Sequence, residues 1–415
     1  MTNGFKKDWQ YYKFCLYGFL KNQRFFEPFI LLIFLQNKDL SYTQIGALYS
    51  IRFILRTLFE IPSGIAADAI GRRVTMLFSY AFYMASFLGY FFADSFLWLI
   101  FPTVLFALGD AFRTGTHKAM IFEYLKSQGW QDQKIDYYGH TRSWSQSGSA
   151  ISSLIAACLV LLSKNYNAVF LYSFIPYSIG FALLASYPKF LDGKTKNKDV
   201  KLRDAFTGII SSSYRSMSRL ANLRLTLNVA IFSGFYHASK DYLQILISSM
   251  AVTMPLALTP DLSEKETTII RIGVIYFVLY FLTAYASKNT GKLNSLFQST
   301  GRYLNVSLVA GLLTGIAAGV FFRSDLTAIA VIFFIFILVI ENFRRPAGVA
   351  TIAGQFEEKI LASVLSAESQ ISSVTGAILS FGIGVIADLA GPGLAIMIMC
   401  MILLLLFPFV RLSTK

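Results

Sequence analysis

Ionisable side chains recur at helical spacing inside the long apolar segments of this chain. Arg24 and Glu27 lie three residues apart, Arg52, Arg56 and Glu60 follow at intervals of four, and Asp110, Arg113 and His117 at intervals of three and four. On a helix each set shares one face. A charge in hydrocarbon costs about 2.5–3.5 kcal/mol on insertion scales, so such stripes must point into a bundle rather than at lipid. The chemistry these types offer is proton carriage. Glu27 and Asp110 are proton-carrier candidates, because burial raises a carboxylate's proton affinity and a neighbouring guanidinium lowers it. Arg24, Arg52, Arg56 and Arg113 either tune those acids or hold an anionic group. A permanent salt-bridge network is the structural alternative. Further along, His237 and Asp241 share a face at four-residue spacing with Lys240 beside them, and Glu368 and Gln370 stand in a small, apolar helix. Asp241 and Glu368 join the proton-carrier candidates, and His237, Lys240 and Gln370 the cavity candidates. A histidine in such a place is more often a hydrogen-bonded core residue than a ligand. Glu341 and Arg344 read as residues at the inner interface, explained by snorkelling or end-pairing.

The elements that position these residues follow from composition. Only 14% of the 415 residues are charged and 55% are apolar, against about 25% charged in a soluble domain, so the chain is a membrane protein. A helix needs about 20 residues to cross the hydrocarbon. Apolar segments of that length occur near 12–36, 42–67, 73–93, 95–124, 142–163 and 167–187, and after a polar stretch near 223–250, 267–287, 303–322, 326–344, 360–388 and 393–411. The expectation is an all-α polytopic membrane protein of twelve transmembrane helices in two six-helix bundles, 1–187 and 223–415, joined by a basic linker at 188–222.

Charge sets the orientation. Lys6, Lys7 and Lys13, Arg72 and Arg73, Lys126 and Lys134, Lys288, Lys292 and Arg302, Arg344 and Arg345, and Arg411 and Lys415 all fall on one side of that threading. By the positive-inside rule this side is cytoplasmic and holds both termini. The net charge of +14 is thus a topology signal rather than a nucleic-acid footprint. The linker is expected to include an amphipathic surface helix near 200–220, its cations meeting anionic headgroups. The three cysteines, Cys15, Cys158 and Cys400, have neither metal-ligand spacing nor a disulfide framework.

The two halves repeat a pattern. Ala111-Phe112-Arg113-Thr114-Gly115 in the fourth segment matches Asn342-Phe343-Arg344-Arg345-Pro346 in the tenth, and Ile151-Ser152-Ser153 matches Ile371-Ser372-Ser373 one segment later. Duplication explains the common order, and a two-half transporter is the usual result. Small residues around Gly148 and Gly376 give the fifth and eleventh segments thin faces for close packing.

Between the second and third segments stands Gly64-Ile65-Ala66-Ala67-Asp68-Ala69-Ile70-Gly71-Arg72-Arg73. This resembles the signature of the major facilitator superfamily, as do Phe59-Glu60-Ile61-Pro62-Ser63 before it and Gly384-Val385-Ile386-Ala387-Asp388-Leu389-Ala390-Gly391 in the second half. The resemblance implies a conformational latch formed by Gly64, Asp68, Gly71, Arg72 and Arg73. The basic residue that usually follows the acid is Ala69 here. Gly64 is expected to permit close helix approach, Gly71 to serve the tight reversal, and Arg72 or a neighbouring helix N-terminus to compensate Asp68. The fifth segment lacks the Gly-Pro motif of many family antiporters and has Gly148-Ser149-Ala150-Ile151-Ser152 in its place.

The sequence thus points to a secondary transporter of the bacterial cytoplasmic membrane. Its expected partners are a small organic solute or amphiphile, protons and membrane lipids, with proton-coupled efflux favoured and function as a monomer. No cofactor, metal or nucleic acid is implied. An importer or exporter of a specific organic anion is the first alternative, and a non-transporting membrane receptor the second. No loop gathers a nucleophile with a histidine and an acid, so an enzyme is not expected.

Overall fold

In a computed structural model the described residues are 7–192, 220–253, 262–355 and 358–413, and their regular secondary structure is helical. The linker and its expected surface helix lie almost wholly outside them. Among the described residues, eight helical stretches are long and apolar enough to cross a membrane: Arg72–Phe92, Phe96–Ser127, Tyr137–Ser163, Ala168–Ala185, Glu264–Lys288, Thr300–Arg323, Thr327–Gln355 and Val364–Ala390. The chain is an all-α polytopic membrane protein, and it forms two compact units. Met1–Glu27 and Leu55–Ala205 make the first, and Pro28–Ile54 and Phe206–Lys415 the second.

The first unit contains α1 (Trp9–Leu20), the later part of α2 (Tyr42–Ile70), α3 (Arg72–Phe92), α4 (Phe96–Arg113), α5 (Thr116–Ser127), α6 (Lys134–Ser163) and α7 (Ala168–Ala185). The thin face expected around Gly148 is present. A Cβ there would stand 2.8 Å from the Phe19 carbonyl oxygen, and one on Gly18 would stand 2.9 Å from that of Thr141, so α1 and α6 meet backbone to backbone. Gln23 Nε2 donates to the Gly148 carbonyl at 3.0 Å across the same contact.

Two expectations for this unit need correction. The segment 12–36 is not one helix: α1 ends at Leu20, and regular helix resumes only at Ile30. The interruption holds Arg24 and Glu27, and the amides it frees need partners in a membrane. Ser173 Oγ supplies one, accepting the Phe25 amide at 3.0 Å. The segment 95–124 is likewise two helices. Thr114 leaves helical geometry and Gly115 takes φ +77°, so the stripe Asp110, Arg113 and His117 is divided between α4 and α5.

The second unit begins with residues 28–54 and continues through α8 (Leu220–Ser239), α9 (Leu243–Thr253), α10 (Glu264–Lys288), α11 (Thr300–Arg323), α12 (Thr327–Gln355), α13 (Glu358–Ala390) and α14 (Pro392–Leu405). The segment 223–250 also breaks. A single 3-10 turn, Lys240–Tyr242, separates α8 from α9 where Lys240 and Asp241 stand. Gln244 Oε1, just beyond that turn, accepts the Leu31 amide at 2.9 Å. The first segment of each half therefore loses its regular helix where it carries charge. Small residues again allow close approach: Gly234 on α8 faces the Ser372 carbonyl of α13 at 2.8 Å from an added Cβ, and Ser50 Oγ donates to the Ala377 carbonyl at 2.6 Å.

Candidate functional site

In the first unit the break after α1 brings Arg24 and Glu27 against α4. Arg24 Nη1 lies 3.3 Å from Glu27 Oε1, and its Nη2 lies 3.7 Å from Asp110 Oδ1. One guanidinium thus serves two carboxylates. Asp110 also has Arg113 Nη2 at 3.6 Å and accepts the Tyr83 hydroxyl at 2.5 Å. Arg113 Nε donates to the same tyrosine oxygen at 3.0 Å, and Arg24 Nε donates to the Tyr177 oxygen at 2.6 Å. Tyr177 in turn donates to the Lys21 carbonyl at 2.8 Å, which ties the unwound stretch to α7. Four sequence candidates, Arg24, Glu27, Asp110 and Arg113, therefore form one cluster.

Rings surround it. The Arg24 guanidinium carbon lies 4.8 Å from the Tyr83 ring centroid and 5.0 Å from that of Phe106, within cation–π range. Asp110 is only 3% exposed, whereas the Glu27 side chain is 33% exposed. The two acids thus differ in access and in partners: Asp110 is enclosed by two guanidinium groups and a phenol, while Glu27 stands at the edge beside Arg24. Neutralising Asp110 would leave buried guanidinium charge without its anion. A proton on Glu27 instead leaves Arg24 wholly to Asp110.

Arg52 and Arg56 stand one turn apart on α2, and Glu60 is the carboxylate acting on Arg56.

In the second unit, Lys240 Nζ lies 2.9 Å from Asp241 Oδ1, so neighbours pair at the break. His237, at the end of α8, packs its ring 5.0 Å from Tyr236 and 6.3 Å from Phe53. The break replaces the continuous helix on which His237 and Asp241 were expected to share a face. Glu368 is 3% exposed, and its Oε1 has no hydrogen-bond partner among the described residues. Gln370 is half-buried two residues on. Glu341 accepts the Ser233 hydroxyl at 2.5 Å and lies 3.8 Å from Arg345. Arg345 is the cation acting on both Glu341 and Glu368. Among the described residues, no group of three or more His, Cys, Asp or Glu is placed to hold a metal.

Snorkelling does not account for Glu341 and Arg344, whereas pairing does for Glu341, which lies beside Arg345. Glu341 and Arg344 are 3% and 1% exposed, and Arg344 donates from Nη2 to the Asn228 carbonyl and Oδ1, each at 2.8 Å, and from Nη1 to Ser307 Oγ and the Leu304 carbonyl. The repeat also extends further than its quoted residues. Asp110-Ala111-Phe112-Arg113 and Glu341-Asn342-Phe343-Arg344 both place an acid three residues before an arginine. That alignment was the available signal for Glu341. Lys21, one turn before Arg24, and the hydroxyl of Tyr177 were also missed, because single polar groups in aromatic-rich spans do not stand out from belt or core residues.

The loop motif departs from expectation in two places. Arg72 pairs with Glu123 at 3.5 Å, while Asp68 is exposed and makes no ion pair or hydrogen bond among the described residues. A Cβ on Gly64 would meet nothing within 4 Å, so close helix approach does not explain that glycine. Gly71 does serve the reversal, with φ +97°. The Arg73 amide donates to Asp192 Oδ1 at 2.7 Å, and the Arg73 guanidinium reaches the Ala185 and Tyr187 carbonyls at 3.3 Å each.

Comparison with known proteins agrees with this architecture. The family profile described as Major Facilitator Superfamily matches residues 22–340. An uncharacterised MFS-type transporter of Bacillus subtilis (strain 168), YxaM, is 31% identical over 91 residues, which span 22% of this chain and 23% of that protein. Among solved structures, the nucleoside transporter NupG aligns over 97% of this chain and 98% of its own at TM-score 0.77 and 11% identity. A bacterial homologue of the human lysosomal transporter Spinster aligns over 99% and 100% at TM-score 0.70 and 15% identity. A POT family transporter in complex with a thioalcohol-conjugated peptide aligns over 98% and 97% at TM-score 0.69 and 12% identity. At these identities the structures share the fold.

Proposed function

We propose, from the premise that this chain belongs to the Major Facilitator Superfamily, that it is a proton-coupled transporter moving a small organic solute or amphiphile by alternating access. In this reading twelve spans in two six-helix halves cross the bacterial cytoplasmic membrane with both termini inside, and transport runs outward. The carrying observation is the single guanidinium of Arg24 held between Glu27 and Asp110. A proton arriving at Glu27 releases Arg24 to Asp110, and its departure draws Arg24 back. Proton state is thereby converted into the position of a buried charge at the break after α1. A solute that alters the same balance is linked to the proton, since a ligand shifts an equilibrium only through its differential affinity.

Glu368 and Asp241 are the corresponding candidates in the second half. Glu368 has a buried oxygen without a hydrogen-bond partner among the described residues, and Asp241 sits in the break between α8 and α9. The loop residues Gly64, Asp68, Gly71, Arg72 and Arg73 are assigned to conformational control, with Arg72 working through Glu123 in the arrangement seen here.

The test is reconstitution into liposomes containing a trapped pH indicator. Solutes that stabilise the purified protein are then applied as gradients. Opposed movement of solute and protons is expected. A screen in which every stabilising solute crosses without moving protons would overturn the coupling, and one in which none crosses would overturn transport.

A further inference from the structure

Lys21 is placed unlike the other charges of the first unit. It lies between the end of α1 and Arg24, half-buried, with its ammonium 6.0 Å from the Tyr17 ring centroid. Its ammonium makes no hydrogen bond or ion pair among the described residues. The guanidinium groups of Arg113, Arg24 and Arg142 all act on it. Arg24 lies within ion-pair distance of Glu27 and Asp110, and Arg113 of Asp110, whereas the Lys21 ammonium has no ion-pair partner among the described residues. Arg142 on α6, an exposed residue, is a further cation acting on Lys21.

A second observation points to a ligand. The Tyr17 hydroxyl, on a residue 2% exposed, has no hydrogen-bond partner among the described residues, and neither does that of Tyr80, 0% exposed and 5.9 Å away between ring centroids. Burying a hydroxyl without a partner costs about 1–3 kcal/mol, so two together mark a place prepared for an absent acceptor. Tyr17 is held rigidly, stacked on the His117 imidazole at 3.7 Å between centroids. Arg113 is the guanidinium that acts most strongly on its hydroxyl. Arg113 has used only some of its five donors, on Asp110 and Tyr83.

We infer that Lys21, Arg113 and Arg142 form an anion-binding site that receives a carboxylate or phosphate group of the transported solute, with the Tyr17 hydroxyl as its neutral donor. The inference rests on the transport reading and narrows it: the solute is an organic anion. The anion pairs with the Lys21 ammonium, and its oxygens accept from the Tyr17 hydroxyl. An ammonium and a guanidinium side by side suit an oxyanion, the one as a point charge and the other as a planar fork.

The experiment uses the full chain in detergent and follows thermal unfolding against concentration of three probes: succinate, glycerol 3-phosphate and neutral uridine at matched ionic strength. At least one anion is expected to stabilise the protein more than uridine does, and the stronger one tells whether the site takes carboxylates or phosphates. Lys21→Gln is expected to raise the half-stabilising concentration at least tenfold and Lys21→Arg to restore it. Arg142→Gln, at an exposed position where folding is not at stake, is expected to weaken the same anion. Stabilisation by neither anion, or by an anion to the same degree in Lys21→Gln and Arg142→Gln, overturns the site. Failure of the two readings is distinguishable: anion binding without flux in liposomes removes transport and leaves the site, whereas flux of neutral solutes alone does the reverse.

Discussion

Asp388 caps the start of α2. Its Oδ1 accepts the Tyr42 amide and its Oδ2 the Thr43 amide, each at 2.8 Å. The acid comes from the end of α13, in the Gly384–Gly391 stretch that resembles the family's signature, and it meets free amides of a helix N-terminus, where backbone donors and the helix dipole both favour an anion. Gly384 makes room for the approach, since a Cβ there would collide with the Tyr42 carbonyl. Replacing Asp388 by Ala is expected to lower stability by about 1 kcal/mol, as loss of a helix cap does. Asn, which keeps an acceptor, should recover much of it. Thermal unfolding of both variants in detergent checks this, and equal stability of Ala and the parent would remove the cap from the account.

Asp110→Asn leaves Arg24 and Arg113 facing one another with a neutral amide between them. Breaking a buried pair costs about 3–5 kcal/mol, and the partial exposure of Arg113 places the expectation at the lower end. Tyr83→Phe removes only the phenol that bridges Asp110 and Arg113, and about 1–3 kcal/mol is expected. Denaturation of the two single variants and the double variant should show non-additivity, because all three groups share one network.

Arg344→Met tests the corrected position of that residue. A snorkelling arginine would tolerate the change. Buried as it is, with donors on Asn228, Ser307 and Leu304, its removal strands several acceptors, and a loss of about 2 kcal/mol or more is expected. A Tm within a degree of the parent would restore the interfacial reading.

Gly71→Ala strains a backbone held at φ +97° and drives a Cβ to 2.9 Å from Asp192 Cγ. About 1–2 kcal/mol of destabilisation is expected from conformation alone. Gly64→Ala, where nothing lies within 4 Å, should be neutral or slightly stabilising in its helix. The same stability from both variants would contradict the distinction.

The fold class was legible because a membrane segment must be apolar along its whole length, and the stripes at Arg24/Glu27 and Asp110/Arg113 were legible because a charge there must have a reason. What escaped was local. The breaks after Leu20 and at Lys240–Tyr242 do not register in a hydropathy window, which averages over the few residues that leave the helix. Gly71 could be read because its role is conformational and belongs to its own turn. The partner of Arg72 could not, because Glu123 arrives from another helix and displaces the nearer choice, Asp68. Lys21 was hidden for a related reason: its setting is made by Arg113 and Arg142, which other helices bring to it.

The account turns on Arg24 being shared between Glu27 and Asp110, and Glu27→Gln isolates that sharing without unbalancing the enclosed Asp110. The direct measurement is solute-driven pH change in proteoliposomes, alongside solute exchange at zero gradient, for the parent and for Glu27→Gln. The expected result is exchange that persists within a few-fold while the pH change disappears. A Glu27→Gln protein that still moves protons with its solute at the parent ratio would contradict the account.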